Sequence, residues 1–235
     1  MADAEVGLKP AQIWSATLAA LRPDFWTLFA VAAPFTLLVD MVMALYGPAQ
    51  PTTMAELTPR VVLILVLIPA LIGAIGQLTV AHLVAMPGEP PRRALGAALA
   101  AWPAYVAVLL LSAFPTGLGF LLLIVPGLYI AARLFLVVPV AVLERPGALV
   151  VLRRSWELTD GKGWAIAWFL VLAVLFLLGA SFLSAGVGAA LASVLTLAGL
   201  KPVGVFVAAL ITAVLATVFA IASAAAATVV YLKVR

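Results

Sequence analysis

Residues 94–143 carry a single charged side chain, Arg133. A run that long and that apolar has no counterpart in an ordinary soluble domain, where about 25% of residues are charged. Here the charged share is 9% and the hydrophobic share 66%, with a mean hydropathy of +1.28. A chain of 235 residues cannot hide this much apolar surface in one core, because a body of that size keeps too much of its surface outside. Lipid is therefore the expected solvent for most of the chain, and in lipid the backbone must satisfy its own hydrogen bonds. The expected fold is an all-α, polytopic transmembrane helical bundle, a single integral membrane domain over residues 1–235.

A helix needs about 20 apolar residues to cross the hydrocarbon core. Six segments reach or approach that length, at about 25–46, 60–86, 101–119, 122–143, 163–183 and 203–232. The third and fourth are divided at Phe114-Pro115-Thr116-Gly117-Leu118-Gly119, whose composition is that of a turn. Pro126 and Gly127 then fall in the first turns of the fourth span. Residues 184–200 are apolar and small. Their pattern is open to a re-entrant or interfacial helix, an extension of the fifth span, or a seventh span, with a boundary at Lys201-Pro202.

Lys and Arg set the orientation, since cytoplasmic loops collect them. With six spans, one side receives Lys9, Arg22, Arg92, Arg93, Arg145, Arg153, Arg154, Lys162, Lys233 and Arg235, and the other receives Arg60 and Lys201. The richer side is expected to be cytoplasmic, with both termini on it, in a bacterial inner membrane. A seventh span would carry Lys233 and Arg235 across and weaken the asymmetry. Asp3 and Glu5 stand where a signal peptide would be basic, so the first span is expected to serve as an uncleaved insertion signal.

Three times a short amphipathic stretch precedes a pair of spans: residues 11–26, 91–105 and 147–164. In the first, Ile13, Trp14, Thr17, Leu18 and Leu21 recur at helical spacing. In the third, Leu149, Leu152 and Trp156 face one way and Arg153, Arg154 and Glu157 another. Helices of this kind lie in the headgroup plane. A breaker follows each: Arg22-Pro23-Asp24, Trp102-Pro103 and the turn 159–163. The pattern raises a threefold repeat of interfacial helix plus helical hairpin, over 8–86, 90–143 and 146–232.

Composition also excludes function classes. There is no cysteine and one histidine, His82, which removes disulfides, thiol chemistry and clustered Cys or His metal sites. The basic residues sit in short loops and not on one face, so nucleic acid is not an expected partner. No paired carboxylates, Ser-His-Asp set or Walker loop occurs. The expectation is no enzyme activity, no cofactor and no metal.

The remaining candidates are polar groups where lipid should be. Arg133 lies near the middle of the fourth span and must find an acceptor, because a central Arg costs about 2.5–3.5 kcal/mol on insertion scales. Asp40, in the first span, is its expected partner. His82 and Gln77 lie on the inner half of the second span, where helix packing is the favoured role. Glu144, Arg153, Arg154 and Trp156, with Arg92 and Arg93, are candidates for contact with lipid phosphate or a protein partner. The run Ala222 to Ala227, with Gly186, Gly188, Gly199 and Gly204, allows close helix approach.

Residues 121–164 carry an ordered set of elements: Pro126-Gly127-Leu128-Tyr129, Arg133, Pro139, Val142-Leu143-Glu144, and Arg153-Arg154-Ser155-Trp156-Glu157-Leu158-Thr159 before Gly161. The stretch resembles the membrane-domain family of the bacterial glycerophosphodiester phosphodiesterases, which includes stand-alone membrane proteins. The resemblance implies six spans. It does not imply phosphodiesterase activity, which in the fused proteins belongs to a separate soluble barrel rich in acidic and histidine residues.

The leading expectation is a non-enzymatic inner-membrane protein that works through lipid or protein contacts, with anionic lipids on the cytoplasmic side. A transporter or export accessory with a site near Arg133 is the second expectation. A structural subunit of a larger complex, or a homo-oligomer, is the third.

Overall fold

A computed structural model describes residues 9–235 apart from positions 52, 54 and 55. Asp3 and Glu5 lie outside the described residues. The described chain is helical, with no strand. Five of its helices are long and apolar enough to cross a membrane, or six when one bent pair counts as a span.

Helix α1 (Pro10–Leu21) starts with proline at its first position, where the missing N–H has no intrahelical acceptor to lose. Ile13, Thr17 and Leu21, four apart, are its buried face. After Arg22-Pro23-Asp24 come α2 (Phe25–Ala32) and α3 (Leu37–Tyr46), bent by 43°. Pro34 explains the bend, because it leaves a carbonyl one turn earlier without a donor. Beside the break the Thr36 hydroxyl lies 3.1 Å from the Ala32 carbonyl and 3.0 Å from the Thr217 hydroxyl.

Helix α4 spans Pro59–Ala85 and contains one π turn, Leu63–Leu67. Pro69 cannot donate to the carbonyl four residues back, and a wider turn absorbs the mismatch. The others are α5 (Pro91–Leu122), α6 (Ile124–Arg133), α7 (Val137–Leu143), α8 (Ala148–Leu158), α9 (Gly163–Leu197) and α10 (Lys201–Val234).

Two expectations need correction. The turn between the third and fourth spans is not at 114–119. Helix α5 runs through Pro103 and Pro115 to Leu122, and the chain reverses at Leu123, whose backbone is extended. Gly119 and Gly127 are not turn residues. They let the two arms meet, because a Cβ on Gly119 would lie 2.9 Å from the Gly127 Cα. The stretch 91–105 is no separate interfacial helix either, since Trp102-Pro103 does not break α5. Of the three amphipathic stretches, those at 11–26 and 147–164 give separate helices, α1 and α8. Residues 184–200, left open by the sequence, extend the fifth span. Helix α9 is 35 residues long, about 52 Å at 1.5 Å per residue, so it either tilts in the bilayer or projects from it. It reverses at Gly199, with φ +80°, a conformation that favours glycine. Helix α10 then packs antiparallel on α9, with Gly188 against Ala208 and Gly204 against Ala192.

The core sits at one end of this bundle. There the last turns of α4 and α10, the first half of α5 and helix α8 enclose α7, whose Val138, Pro139, Val140, Ala141 and Val142 are all buried. Small residues make the approach close: Ala94, Ala97, Ala98 and Ala101 on α5, and Ala224 to Ala227 on α10. The other halves of the long helices are largely bare, as at Phe114, Phe182 and Leu197. That distribution suits a lipid solvent, which has no more reason than leucine to leave an apolar surface.

Gly127→Ala should lower the melting temperature of the detergent-solubilised protein, at a cost of about 1–3 kcal/mol for overpacking, because its Cβ would lie 2.7 Å from the Phe120 amide nitrogen. Gly117→Ala, with nothing within 4 Å, should leave the melting temperature unchanged or raise it. Equal effects would contradict the tight hairpin.

Candidate functional site

The fourth span is broken between α6 and α7. Pro139 has no N–H for the Phe135 carbonyl, so the helix cannot continue unmodified through Leu134–Leu136. The break leaves the Arg133 carbonyl to find donors elsewhere. It finds one strong donor and one weak one: the Ser155 hydroxyl donates at 2.8 Å, and the Thr159 hydroxyl, 3.2 Å away, shares its single proton with the closer Ser155 carbonyl at 2.8 Å. Ser155 and Thr159 are four apart, so both point the same way from one helix.

The Arg133 side chain reaches the same place. Its Nη1 donates to the Thr159 carbonyl at 2.8 Å and its Nη2 to Asp160 Oδ1 at 3.2 Å. The guanidinium carbon lies 4.7 Å from the centre of the Trp156 ring and 5.9 Å from that of Tyr129. Arg133 is only 4% exposed, and its Nε is buried without a hydrogen-bond partner. Gly163 completes the pocket. A Cβ there would lie 3.0 Å from the Tyr129 ring and 3.2 Å from Arg133 Cδ.

The contributions are unequal. Taking a guanidinium out of water costs several kcal/mol. The Asp160 side chain is 83% exposed, so that ion pair alone contributes at most about 1 kcal/mol. The Thr159 carbonyl is the stronger partner. Thr159 stands at the C-cap of α8, where the helix dipole favours a cation. The two aromatic faces add cation–π attraction inside a dry pocket.

The expected Arg133–Asp40 pair does not form. The α6–α7 break turns Arg133 toward the polar turn at 159–160, which supplies its acceptors. Asp40 is half-buried on α3 and has no ion-pair partner among the described residues. His82 Nε2 meets Glu89 Oε2 at 2.7 Å across the α4–α5 connection, and its Nδ1 is buried without a partner. Gln77 is half-buried on α4. Arg133, Asp40, His82 and Gln77 therefore form no common site.

A second polar group lies beside the Arg133 pocket. Glu144 accepts from the Tyr231 hydroxyl at 2.8 Å, and its other oxygen lies 3.4 Å from Arg154 Nε. This joins the end of α7 to α8 and to the last turns of α10. Arg153 is exposed and, among the described residues, pairs only with Glu157, one turn along α8, at 2.8 Å. Arg92 and Arg93 are exposed at the start of α5. Sequence reasoning named Trp156 for contact with lipid or a partner and missed its place under Arg133. It also passed over Tyr129, Thr159 and Asp160 as partners of Arg133. The available signal was the Ser155/Thr159 spacing just ahead of the polar turn.

Arg133→Gln should destabilise the solubilised protein by about 2–4 kcal/mol, since it strips a buried network. Asp160→Asn should cost no more than about 1 kcal/mol. Arg133→Gln combined with Asp40→Asn should be additive in thermal melting, because the two positions share no contact. A coupling beyond about 0.5 kcal/mol between them would contradict this assignment.

The family described as the membrane domain of glycerophosphoryl diester phosphodiesterase matches residues 101–234. That segment covers more than half of the chain and takes in every residue of the Arg133 pocket. No curated protein and no solved structure matches the chain. By the extent of that match, the chain belongs to the glycerophosphoryl diester phosphodiesterase membrane-domain family.

Proposed function

We propose that this multi-pass membrane protein resides in a bacterial inner membrane and acts through contacts with lipid, without catalysis of its own. The observation that carries the reading is the surface of α8. Arg153 projects there with its side chain 82% exposed. It stands at the edge of a groove of about 340 Å³ between α5, α6 and α8, whose apolar walls include Leu111, Ile130, Leu134 and Leu152. A cation beside an apolar groove matches a lipid with an anionic headgroup. Trp156, on the same groove, has the amphipathic character of an interfacial residue.

The distribution of Lys and Arg supports a cytoplasmic position for this end of the bundle. Lys162 and Lys233 flank α9 and α10 here, whereas Lys201 lies at the far end of the same hairpin. A transport site at Arg133 has less support. Its guanidinium is buried, stacked and hydrogen-bonded.

Lipid extracted from the purified protein should be enriched in anionic headgroups. Arg153→Ala/Arg154→Ala should reduce that enrichment several-fold, and Lys201→Ala should not. Unchanged anionic lipid in the double variant, with its fold intact by circular dichroism, would overturn the reading.

A further inference from the structure

A second crevice, larger than the α8 groove and separate from it, lies between α1 and the α9–α10 hairpin. Its volume is about 520 Å³, within the range of about 300–1,000 Å³ typical of small-ligand pockets. The walls are almost wholly apolar and rich in aromatic rings. Trp14 of α1 meets Phe176 of α9 edge to face at 5.8 Å, closing one side. Phe135 and Phe169, 5.9 Å apart, and Phe219 of α10 form other parts of the wall.

The hydroxyls at this crevice are already satisfied by their own helices. Thr17 donates to the Ile13 carbonyl at 2.7 Å and Ser223 to the Ala220 carbonyl at 3.1 Å. One charged residue lines the crevice, Arg22, in the break after α1. Arg22 is exposed, and its guanidinium has no hydrogen bond or ion pair among the described residues. The acid nearest in sequence, Asp24, stands exposed at the N-cap position of α2 without a side-chain capping hydrogen bond and does not bridge to it.

We propose that the crevice holds one acyl chain of an anionic phospholipid, with the phosphate on Arg22 and the second chain in the bulk bilayer. The inference rests on the reading of the protein as a lipid-contacting one, but it places a lipid at a different site. A neutral apolar occupant would leave Arg22 unmatched. A zwitterionic lipid brings its own cation close to the phosphate and gains less from Arg22 than an anionic one does. Chain and charge together therefore favour a lipid with net negative charge.

The test uses the full chain in nanodiscs with photoactivatable phosphatidylglycerol or phosphatidylcholine, each carrying a diazirine on one acyl chain. Adducts should map to Phe176, Phe219 and their neighbours, several-fold more with the glycerol headgroup than with choline. Arg22→Gln should abolish that preference, and Ala222→Phe should block labelling with both probes. Arg22 is exposed, so its variant carries the test should Ala222→Phe not fold. Labelling spread over all lipid-facing helices, or a crevice signal indifferent to headgroup and to Arg22→Gln, would overturn the proposal. Crevice labelling that persists in Arg153→Ala/Arg154→Ala would support a site independent of α8. Loss of copurified lipid in that double variant, with no crevice adducts in the unaltered chain, would refute this inference and leave the α8 reading standing.

Discussion

A guanidinium removed from water must be surrounded by acceptors and π faces, and Arg133 meets that demand by drawing three segments together. Its carbonyl is held by Ser155 and Thr159 and its side chain by Thr159 and Asp160, with Tyr129 and Trp156 beside it. The break between α6 and α7 is thereby fixed to α8 and to the entry of α9. Because α7 is enclosed by α4, α5, α8 and α10, its placement also positions the core. Removing one partner of such a network leaves the other polar groups buried and unmatched, which is more costly than never having buried them.

The surrounding packing follows from the solvent. Lipid supplies little hydrophobic drive between helices, so close contact must come from shape and small side chains. The alanines of α5 and α10 and the facing glycines of the two hairpins supply it. Away from the core the long helices display Phe, Leu and Val outward, which would be a liability in water and is ordinary in a membrane.

Much of the architecture was legible as apolar runs separated by short basic segments, and the ordered elements of 121–164 identified the family without revealing that Tyr129, Trp156, Thr159 and Asp160 meet around Arg133. The errors have physical causes. Pro115, Gly117 and Gly119 read as a turn by soluble-protein chemistry. In a membrane helix a proline is tolerated when neighbouring groups compensate, and Gly119 serves close approach to Gly127. Asp40 was matched to Arg133 because both were placed on straight spans. Pro139 breaks one of those spans, and no charge count locates the resulting bend. Residues 184–200 read ambiguously because small apolar side chains suit both a loop near the interface and a helix pressed against another. Of the candidate residues, Arg133 and Trp156 were brought together, and Glu144 and Arg154 met beside them. His82, Gln77 and Asp40 went elsewhere because each answers to a local neighbourhood that spacing alone does not encode.

Hydrogen exchange followed by mass spectrometry, on the chain in nanodiscs, tests the central role of Arg133 most directly. Amides of residues 130–137 and 155–163 should exchange slowly in the unaltered protein despite the interrupted helices. Arg133→Gln should raise their exchange together while the amides of α10 between Ala224 and Val230 keep their protection. Exchange in those two segments that does not respond to the substitution, or that rises in only one of them, would contradict the account.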